Sequence, residues 1–190
     1  MNTLYSTQST FRSLLDAMSK PGKTVSLKHT DPSGKNAYAE ILLIATTLMD
    51  HETSFCCMGS YSQGLVEQIY SLTKSRVAED FMADFIVITG GSSNHQVAKA
   101  KIGTPEYPDE GATLIFQANG FDASPEALHL SISGPGIKDR KSVYLEGIDH
   151  SDIETIRDIN RSYPQGVDCI FTSSKSDVIC LPRSTRIEWE

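Results

Sequence analysis

The chain has 190 residues, of which 39% are apolar and 22% are charged, a composition that is typical of a globular protein and excludes a disordered one. Its formal net charge of −7 excludes a general binder of nucleic acid or of anionic membranes, because neutralising phosphates requires an excess of lysine and arginine. We therefore expect one domain over residues 1–190, with neither nucleic acid nor a membrane among its partners.

The first half of the chain alternates helical and strand patterns. Phe11, Leu14, Leu15 and Met18 recur at helical spacing and form one apolar stripe, which Pro21-Gly22 ends. The patterns predict helices over residues 8–20, 37–49 and 61–72, strands over residues 24–27, 53–58 and 85–89, a turn at residues 31–35 and a short helix within residues 93–101.

The second half is richer in strands. The predicted strands cover residues 113–117, 128–133, 142–145, 167–172 and 178–181, with a hairpin turn at residues 173–177. One helix is predicted where Ser151 and Glu154 form a capping-box pattern. Because helices alternate with strands early and hairpins dominate late, we expect an α/β fold in which helices cover a mixed sheet.

The cysteines and histidines do not form a metal-binding pattern. Cys56, Cys57, Cys169 and Cys180 include no C-x-x-C spacing, so we expect reduced, mostly buried thiols. The histidines are scattered singly. Residues 50–52 (Asp-His-Glu) are expected to be a polar helix end, since consecutive side chains point apart and cannot assemble a triad.

Two glycine-rich segments follow predicted strands. Residues 90–93 (Gly-Gly-Ser-Ser) could cradle a phosphate with free backbone N–H groups, but they lack the spacing of known phosphate loops, so an ordinary turn is the main expectation. Gly134, Pro135 and Gly136 precede Lys138 and Arg140. That loop is either a tight strand exit or a place where backbone approaches a partner or an anion.

The C-terminal segment carries the most informative charges. Asp168 lies among apolar residues, so we expect it to cap a backbone turn or to pair with a cation. Arg183 and Arg186 follow the next predicted strand and are natural partners for Asp168 or for an anion. A structural ion pair and a contact with a ligand or subunit both stay open.

Six segments in order resemble the PhnH family, the H subunits of the bacterial carbon–phosphorus lyase system. They are FRSLLDAMSKPG (residues 11–22), LMDHET (48–53), GATL (111–114), SGPGI (133–137), YPQGVD (163–168) and LPRSTR (181–186). Each segment alone is weak, but six in order across the whole chain are specific. The departures are mild, with Tyr163 where phenylalanine is expected and Ser184 where threonine is expected.

The resemblance implies both a fold and a set of partners. It implies a three-layer α/β/α sandwich like the large domain of pyridoxal-phosphate-dependent transferases, but without that cofactor. It also implies a protein that forms a homodimer alone and joins subunits G, I, J and L. Together these proteins make α-D-ribose 1-alkylphosphonate 5-triphosphate from MgATP and an alkylphosphonate, so MgATP is a substrate of the complex and no cofactor is expected in this chain. The reduced cysteines expected here indicate a cytoplasmic location.

The resemblance carries no catalytic residue onto this sequence. We therefore expect an accessory subunit whose isolated chain is inactive. The candidate contacts with a partner or ligand are Gly134, Pro135, Gly136, Asp168, Arg183 and Arg186. Two alternatives stay open, namely a stand-alone enzyme that binds a phosphorylated small molecule at residues 90–93 or 134–140, and a purely structural homodimer.

Overall fold

The structure is a computed structural model that describes residues 3–28, 36–61, 63–79 and 82–189. The four α-helices are α1 (Thr3–Ser19), α2 (Ala39–Leu48), α3 (Gln63–Thr73) and α4 (His150–Asn160). The ten strands are β1 (Val25–Ser26), β2 (Ser54–Gly59), β3 (Arg76–Val77), β4 (Phe85–Thr89), β5 (Thr113–Ala118), β6 (Ala127–Ser133), β7 (Lys141–Glu146), β8 (Asp168–Ser173), β9 (Asp177–Leu181) and β10 (Arg186–Trp189). None of the helices in these ranges is long and apolar enough to cross a membrane.

A seven-stranded mixed sheet forms the centre of the molecule, in the order β1-β9-β8-β5-β4-β2-β3. Strands β3, β2, β4, β5 and β8 run parallel to one another, while β9 is antiparallel to both β8 and β1. The central strands are buried on both faces, which explains their continuous apolar sequences. The predicted α/β class with a mixed sheet is therefore confirmed.

Helices α1, α2 and α3 cover one face of this sheet. Alternate residues of the strands, such as Val87, Ile115 and Ile170, pack against buried apolar residues of these helices. Helix α2 contributes a wide arc of buried side chains from Ile41 to Ala45, which agrees with its nearly continuous apolar sequence.

Helix α4 and a three-stranded antiparallel sheet cover the opposite face. That smaller sheet has the order β10-β6-β7. Its buried residues, including Leu130 and Leu145, pack with Ile153 and Ile156 of α4 against Phe116 and other residues of the central strands. The connection from β9 to β10 and the connection from β6 to β7 consequently lie in the part of the molecule where the two sheets meet.

Most predicted elements are confirmed, with shifts at their ends. Helix α1 begins at Thr3, five residues before the predicted start. Only residues 96–99 of the predicted helix within 93–101 are helical, and they form a 3₁₀ turn. The two-residue edge strand β3 was not predicted, because so short a strand carries no readable alternation. The turn predicted at residues 31–35 lies outside the described residues.

The predicted capping box at the start of α4 is wrong in one respect. The cap is Asp149, whose Oδ1 accepts hydrogen bonds from the backbone N–H of Ser151 at 2.9 Å and from the Ser151 hydroxyl at 2.8 Å. The helix therefore begins at His150, one residue before the predicted box. Aspartate is as good an N-cap as serine and its charge also suits the positive end of the helix dipole, so it takes the position.

The four cysteines are free, and three of them, all except Cys57, are buried. Burial raises the pKa of Cys57 to about 12 and that of Cys180 to about 12. Burial also raises the pKa of Cys169 well above its ordinary value. These thiols are therefore protonated at neutral pH and are poor nucleophiles.

Candidate functional site

Two clefts meet at the loop that joins β6 to β7. The first, here called the basic cleft, has a volume of about 720 Å³ and lies beside the end of α4 and the start of β10. The second, here called the apolar groove, has a volume of about 680 Å³ and runs along α1. Pro135 and Ser184 line both clefts, so the loop predicted as a contact forms the ridge between them.

Close backbone packing fixes the two glycines of that ridge. Gly136 has a φ of +82°, and an added Cβ would lie 2.4 Å from the backbone oxygen of Ser19 at the end of α1. Gly134 has a φ of +133°, and an added Cβ would lie 2.8 Å from the backbone oxygen of Ser184. The loop is thus wedged between α1 and the β9–β10 connection, and its glycines are required by both conformation and space.

Asp168 and Arg183 form an internal ion pair, the first of the two alternatives that the sequence left open. Asp168 Oδ1 accepts from the backbone N–H of Arg183 at 2.8 Å, and Oδ2 accepts from Nη2 at 2.6 Å and Nε at 3.1 Å. Arg183 Nη1 donates to the carbonyl oxygen of Pro108. The Arg183 side chain is only 14% exposed, so this arginine joins the start of β8 to two loops.

Arg186 lies apart from that pair. It begins β10, is exposed, and lines the basic cleft. No residue in the described part of the chain forms an ion pair or a side-chain hydrogen bond with it. The predicted contact residues therefore fall into two groups. Asp168 and Arg183 pair with each other and stabilise the wall of the clefts, whereas Arg186 and the loop of residues 134–136 are available at the clefts.

Several residues of the basic cleft were not among the predicted contacts, and three of them have side chains suited to binding a ligand. Arg157 and Arg161, at the end of α4, and Tyr163, in the loop that follows, all line it. The two arginines are four residues apart, which places them one above the other on a helix. That spacing was readable in the sequence, but nothing there indicated that the end of α4 would face the start of β10.

Asn160 attaches the end of α4 to the central sheet. Its side-chain Oδ1 accepts from the backbone N–H of Val167 at 2.8 Å, and its Nδ2 donates to the carbonyl oxygen of Val167 at 3.1 Å. Val167 is fully buried immediately before β8, so the asparagine supplies a partner for both backbone polar groups of this residue.

In the glycine-serine turn at residues 90–93, the two serines donate hydrogen bonds to carboxylates of the same chain. Ser92 Oγ donates to Asp149 at 2.8 Å. The Ser93 backbone N–H and hydroxyl both donate to the fully buried Asp152 at 2.6 Å. Two carboxylates repel a phosphate, so the geometry favours the ordinary turn that was the main expectation for this segment.

Other polar residues that attracted attention in the sequence also have structural partners. Asp50 Oδ1 accepts from the backbone N–H of Glu52 at 2.9 Å, which makes residues 50–52 a polar turn after α2, as predicted. Burial raises the pKa of Asp84, but hydrogen bonds from Lys101 and Ser54 outweigh it and lower that pKa below its ordinary value. Within the ranges described above, no group of three histidine, cysteine, aspartate or glutamate side chains is placed to hold a metal ion.

Comparison with known proteins agrees with the resemblance seen in the sequence. The chain matches the family described as bacterial phosphonate metabolism protein (PhnH) over residues 1–188. It is 31% identical over 180 residues to a C-P lyase subunit protein, HtxG, of Stutzerimonas stutzeri, with 95% of this chain and 85% of that protein covered. It is 25% identical over 193 residues to the alpha-D-ribose 1-methylphosphonate 5-triphosphate synthase subunit PhnH of Rhizobium meliloti (strain 1021), with 98% and 92% covered. This chain therefore belongs to the PhnH family of bacterial phosphonate metabolism proteins.

Proposed function

We propose that this chain is a subunit of a carbon–phosphorus lyase complex, which makes α-D-ribose 1-alkylphosphonate 5-triphosphate from MgATP and an alkylphosphonate. The observation that carries the proposal is the family match over residues 1–188. Two relatives that align with most of the chain support it, because both have names that make them subunits of such an enzyme.

We further propose an accessory role, in which the chain shapes the complex and the chemistry belongs to its partners. Three observations support this role. The carboxylate of Asp168 accepts a hydrogen bond from Arg183, and that of Asp152 accepts one from Ser93, so both already have structural partners. The thiols have raised pKa values, which makes them poor nucleophiles.

The proposed partners are subunits G, I, J and L, with a homodimer when the chain is isolated and a cytoplasmic location. The apolar groove is the surface that we propose for assembly. Phe11 and Leu15 of α1 line it and are 46% and 53% exposed. Exposed apolar side chains gathered in a groove beside a rigid loop are typical of protein interfaces.

A charge placed in the groove tests the assembly surface. We expect Leu15→Asp to abolish co-purification with subunits G and I while the isolated chain stays folded, because burying an unpaired carboxylate in an interface is costly. The matched control is Leu72→Asp on α3, since Leu72 is 57% exposed and does not line the groove. Normal co-purification of the Leu15 variant would contradict the proposed surface, and an unmodified chain that never joins those subunits would contradict the proposed function.

The likeness to pyridoxal-phosphate-dependent transferases is also a proposal, as is the three-layer α/β/α description. Helices on both faces of a sheet with one reversed strand support it. One outer layer here contains the three-stranded sheet as well as α4. We propose that the chain uses no pyridoxal phosphate, and a visible absorption band in the purified protein would contradict that.

A further inference from the structure

Two residues that line the basic cleft, Arg183 and Glu188, are each neutralised by a partner of opposite charge. Arg183 is paired with Asp168 in the wall. Glu188 is the only acidic residue among the described residues that line the cleft, and it accepts from both Nη atoms of Arg140. These four side chains therefore add almost no net charge to the cleft.

Three further guanidinium groups line the cleft, and only one carboxylate of the described residues, that of Asp158, is near enough to pair with any of them. Arg157 Nε donates to Asp158 at 3.3 Å, and Arg161 Nη1 lies 3.2 Å from the same carboxylate oxygen. Arg186 has no ion-pair partner among residues 3–28, 36–61, 63–79 and 82–189. In a chain with a formal net charge of −7, this is a local excess of positive charge.

Arg157 is the most constrained of the three. Its side chain is 25% exposed, and only its Nε donates to a carboxylate in the described part of the chain. The two Nη groups of a guanidinium present a planar set of donors that matches a phosphate or carboxylate. Arg157 lies in the wall of the cleft, is three-quarters buried, and has no acceptor for its two Nη groups among the residues that the structure describes, so it is placed to receive an anion.

Stabilisation of α4 does not account for the whole cluster. Arginines in the last turn of a helix interact favourably with its dipole, which explains Arg157 and Arg161. It does not explain Arg186, which belongs to β10, lies at no helix end and has no acidic partner among the described residues. Two separate elements bring their cations to one concave surface, and a ligand common to both accounts for this arrangement.

We propose that the basic cleft binds the phosphate or phosphonate groups of a small molecule through Arg157, Arg161 and Arg186. The volume of about 720 Å³ lies within the range for small-molecule sites and exceeds what one phosphate fills. A ligand with several phosphate groups therefore fits both the size and the charge of the cleft. That its natural occupant is a triphosphate handled by the complex rests on the proposed function.

Calorimetric titration of the isolated, full-length chain with inorganic triphosphate tests the site. At physiological ionic strength we expect saturable binding to one site. Arg157→Gln and Arg186→Gln should each weaken it about tenfold, because each removes a charged hydrogen bond. Arg157→Lys, which keeps the charge and loses the planar fork, should give an intermediate affinity.

The matched control removes the same charge elsewhere. Arg76→Gln lies in β3 at the far edge of the central sheet and should bind triphosphate like the unmodified chain. Thermal unfolding of each variant verifies that it is folded. No binding by the folded, unmodified chain, or equal binding by all the variants, would overturn the proposal.

Two further measurements distinguish this proposal from binding of an acidic protein segment and from the proposed function in assembly. Competition by poly-glutamate at lower concentrations than triphosphate would overturn the proposal, since it would indicate an acidic protein segment as the occupant. Co-purification of Arg186→Gln with the other subunits should be normal. A chain that assembles but binds no triphosphate contradicts only this inference, whereas a chain that binds triphosphate but never assembles contradicts only the proposed function.

Discussion

Arg183 and Asp168 form a largely buried ion pair beside the two clefts. Removing one partner leaves the other charge largely buried without compensation, which costs several kcal/mol in comparable pairs. We expect Arg183→Ala or Asp168→Ala to lower the free energy of unfolding by about 3 kcal/mol. Arg186→Ala, at an exposed position with no ion-pair partner in the described part of the chain, should change it by less than about 0.5 kcal/mol.

Urea denaturation of the single and double variants measures this pair. The double variant Asp168→Ala/Arg183→Ala should cost less than the sum of the two single changes, because the second substitution removes the charge that the first left unpaired. Strict additivity would show that the two side chains contribute independently and would contradict the ion pair.

The cap that Asp149 forms at the start of α4 makes the stability of the folded chain depend on pH. Hydrogen bonds from the Ser151 backbone N–H, then from the hydroxyls of Ser92 and Ser151, lower the pKa of Asp149 in the folded chain. The unfolded chain therefore binds the proton more readily, so the stability that Asp149 adds is complete above its unfolded pKa of about 4 and is lost as the pH falls through the folded pKa.

Asp149→Asn isolates this contribution, because asparagine is also a good cap but does not ionise. The difference in the free energy of unfolding between the two proteins should be constant from neutral pH down to about pH 5 and should shrink as the pH falls below about 4. Measurements of unfolding by urea across this range check it. A difference that is independent of pH would mean that the Asp149 carboxylate does not titrate as described.

For single residues, the sequence indicated which side chains form the contacts near the clefts, but it did not indicate all of the contacts that they form. Residue types and apolar surroundings made Arg183 and Arg186 candidate partners for Asp168 or for an anion, and the structure shows that Arg183 is the partner. The hydrogen bond from Arg183 to Pro108 and the separation of Arg186 from both could not be predicted, because they depend on how loops distant in sequence are packed.

At the scale of elements, α4 is held at both ends by single side chains. Asp149 caps its start, and Asn160 bonds to both polar groups of the buried Val167 at its end. Helix α4 is amphipathic and only about three turns long, so such attachments fix its position against β8 more than intrinsic helix propensity does.

Asn160→Ala should therefore lower the free energy of unfolding by about 1–3 kcal/mol, since it leaves a buried N–H and a buried carbonyl without partners. Asn160→Asp keeps the acceptor for the Val167 N–H and loses the donor, so it should lie between alanine and the unmodified chain. Thermal or urea unfolding measures both variants. A fully tolerated Asn160→Ala would show that water replaces the side chain and that the attachment is weak.

Element boundaries were predicted well where periodicity is strong and poorly where tertiary contacts decide. The strand at residues 85–89 agrees with β4 at both ends, because its continuous β-branched and aromatic sequence leaves no ambiguity. Strand β10 was not predicted as a separate strand. It pairs with β6, which lies more than fifty residues earlier in the chain, and a local sequence pattern cannot predict so distant a pairing.

At the scale of the whole molecule, one sheet carries two differently covered faces, and the loop of residues 134–136 separates an apolar groove from a basic cleft. The α/β class and the family could be predicted from the sequence. The basic cleft could not, because it combines the end of α4, the β9–β10 connection and the β6–β7 loop, which meet only in the folded chain.

Reconstitution of nucleobase release tests the central claim most directly. Purified subunits G, I and L, MgATP and an alkylphosphonate are assayed for adenine release with and without this chain, and the chain is also assayed alone. We predict that release requires this chain, while the chain alone releases no adenine. Unchanged release in its absence, or turnover by the isolated chain, would contradict the account.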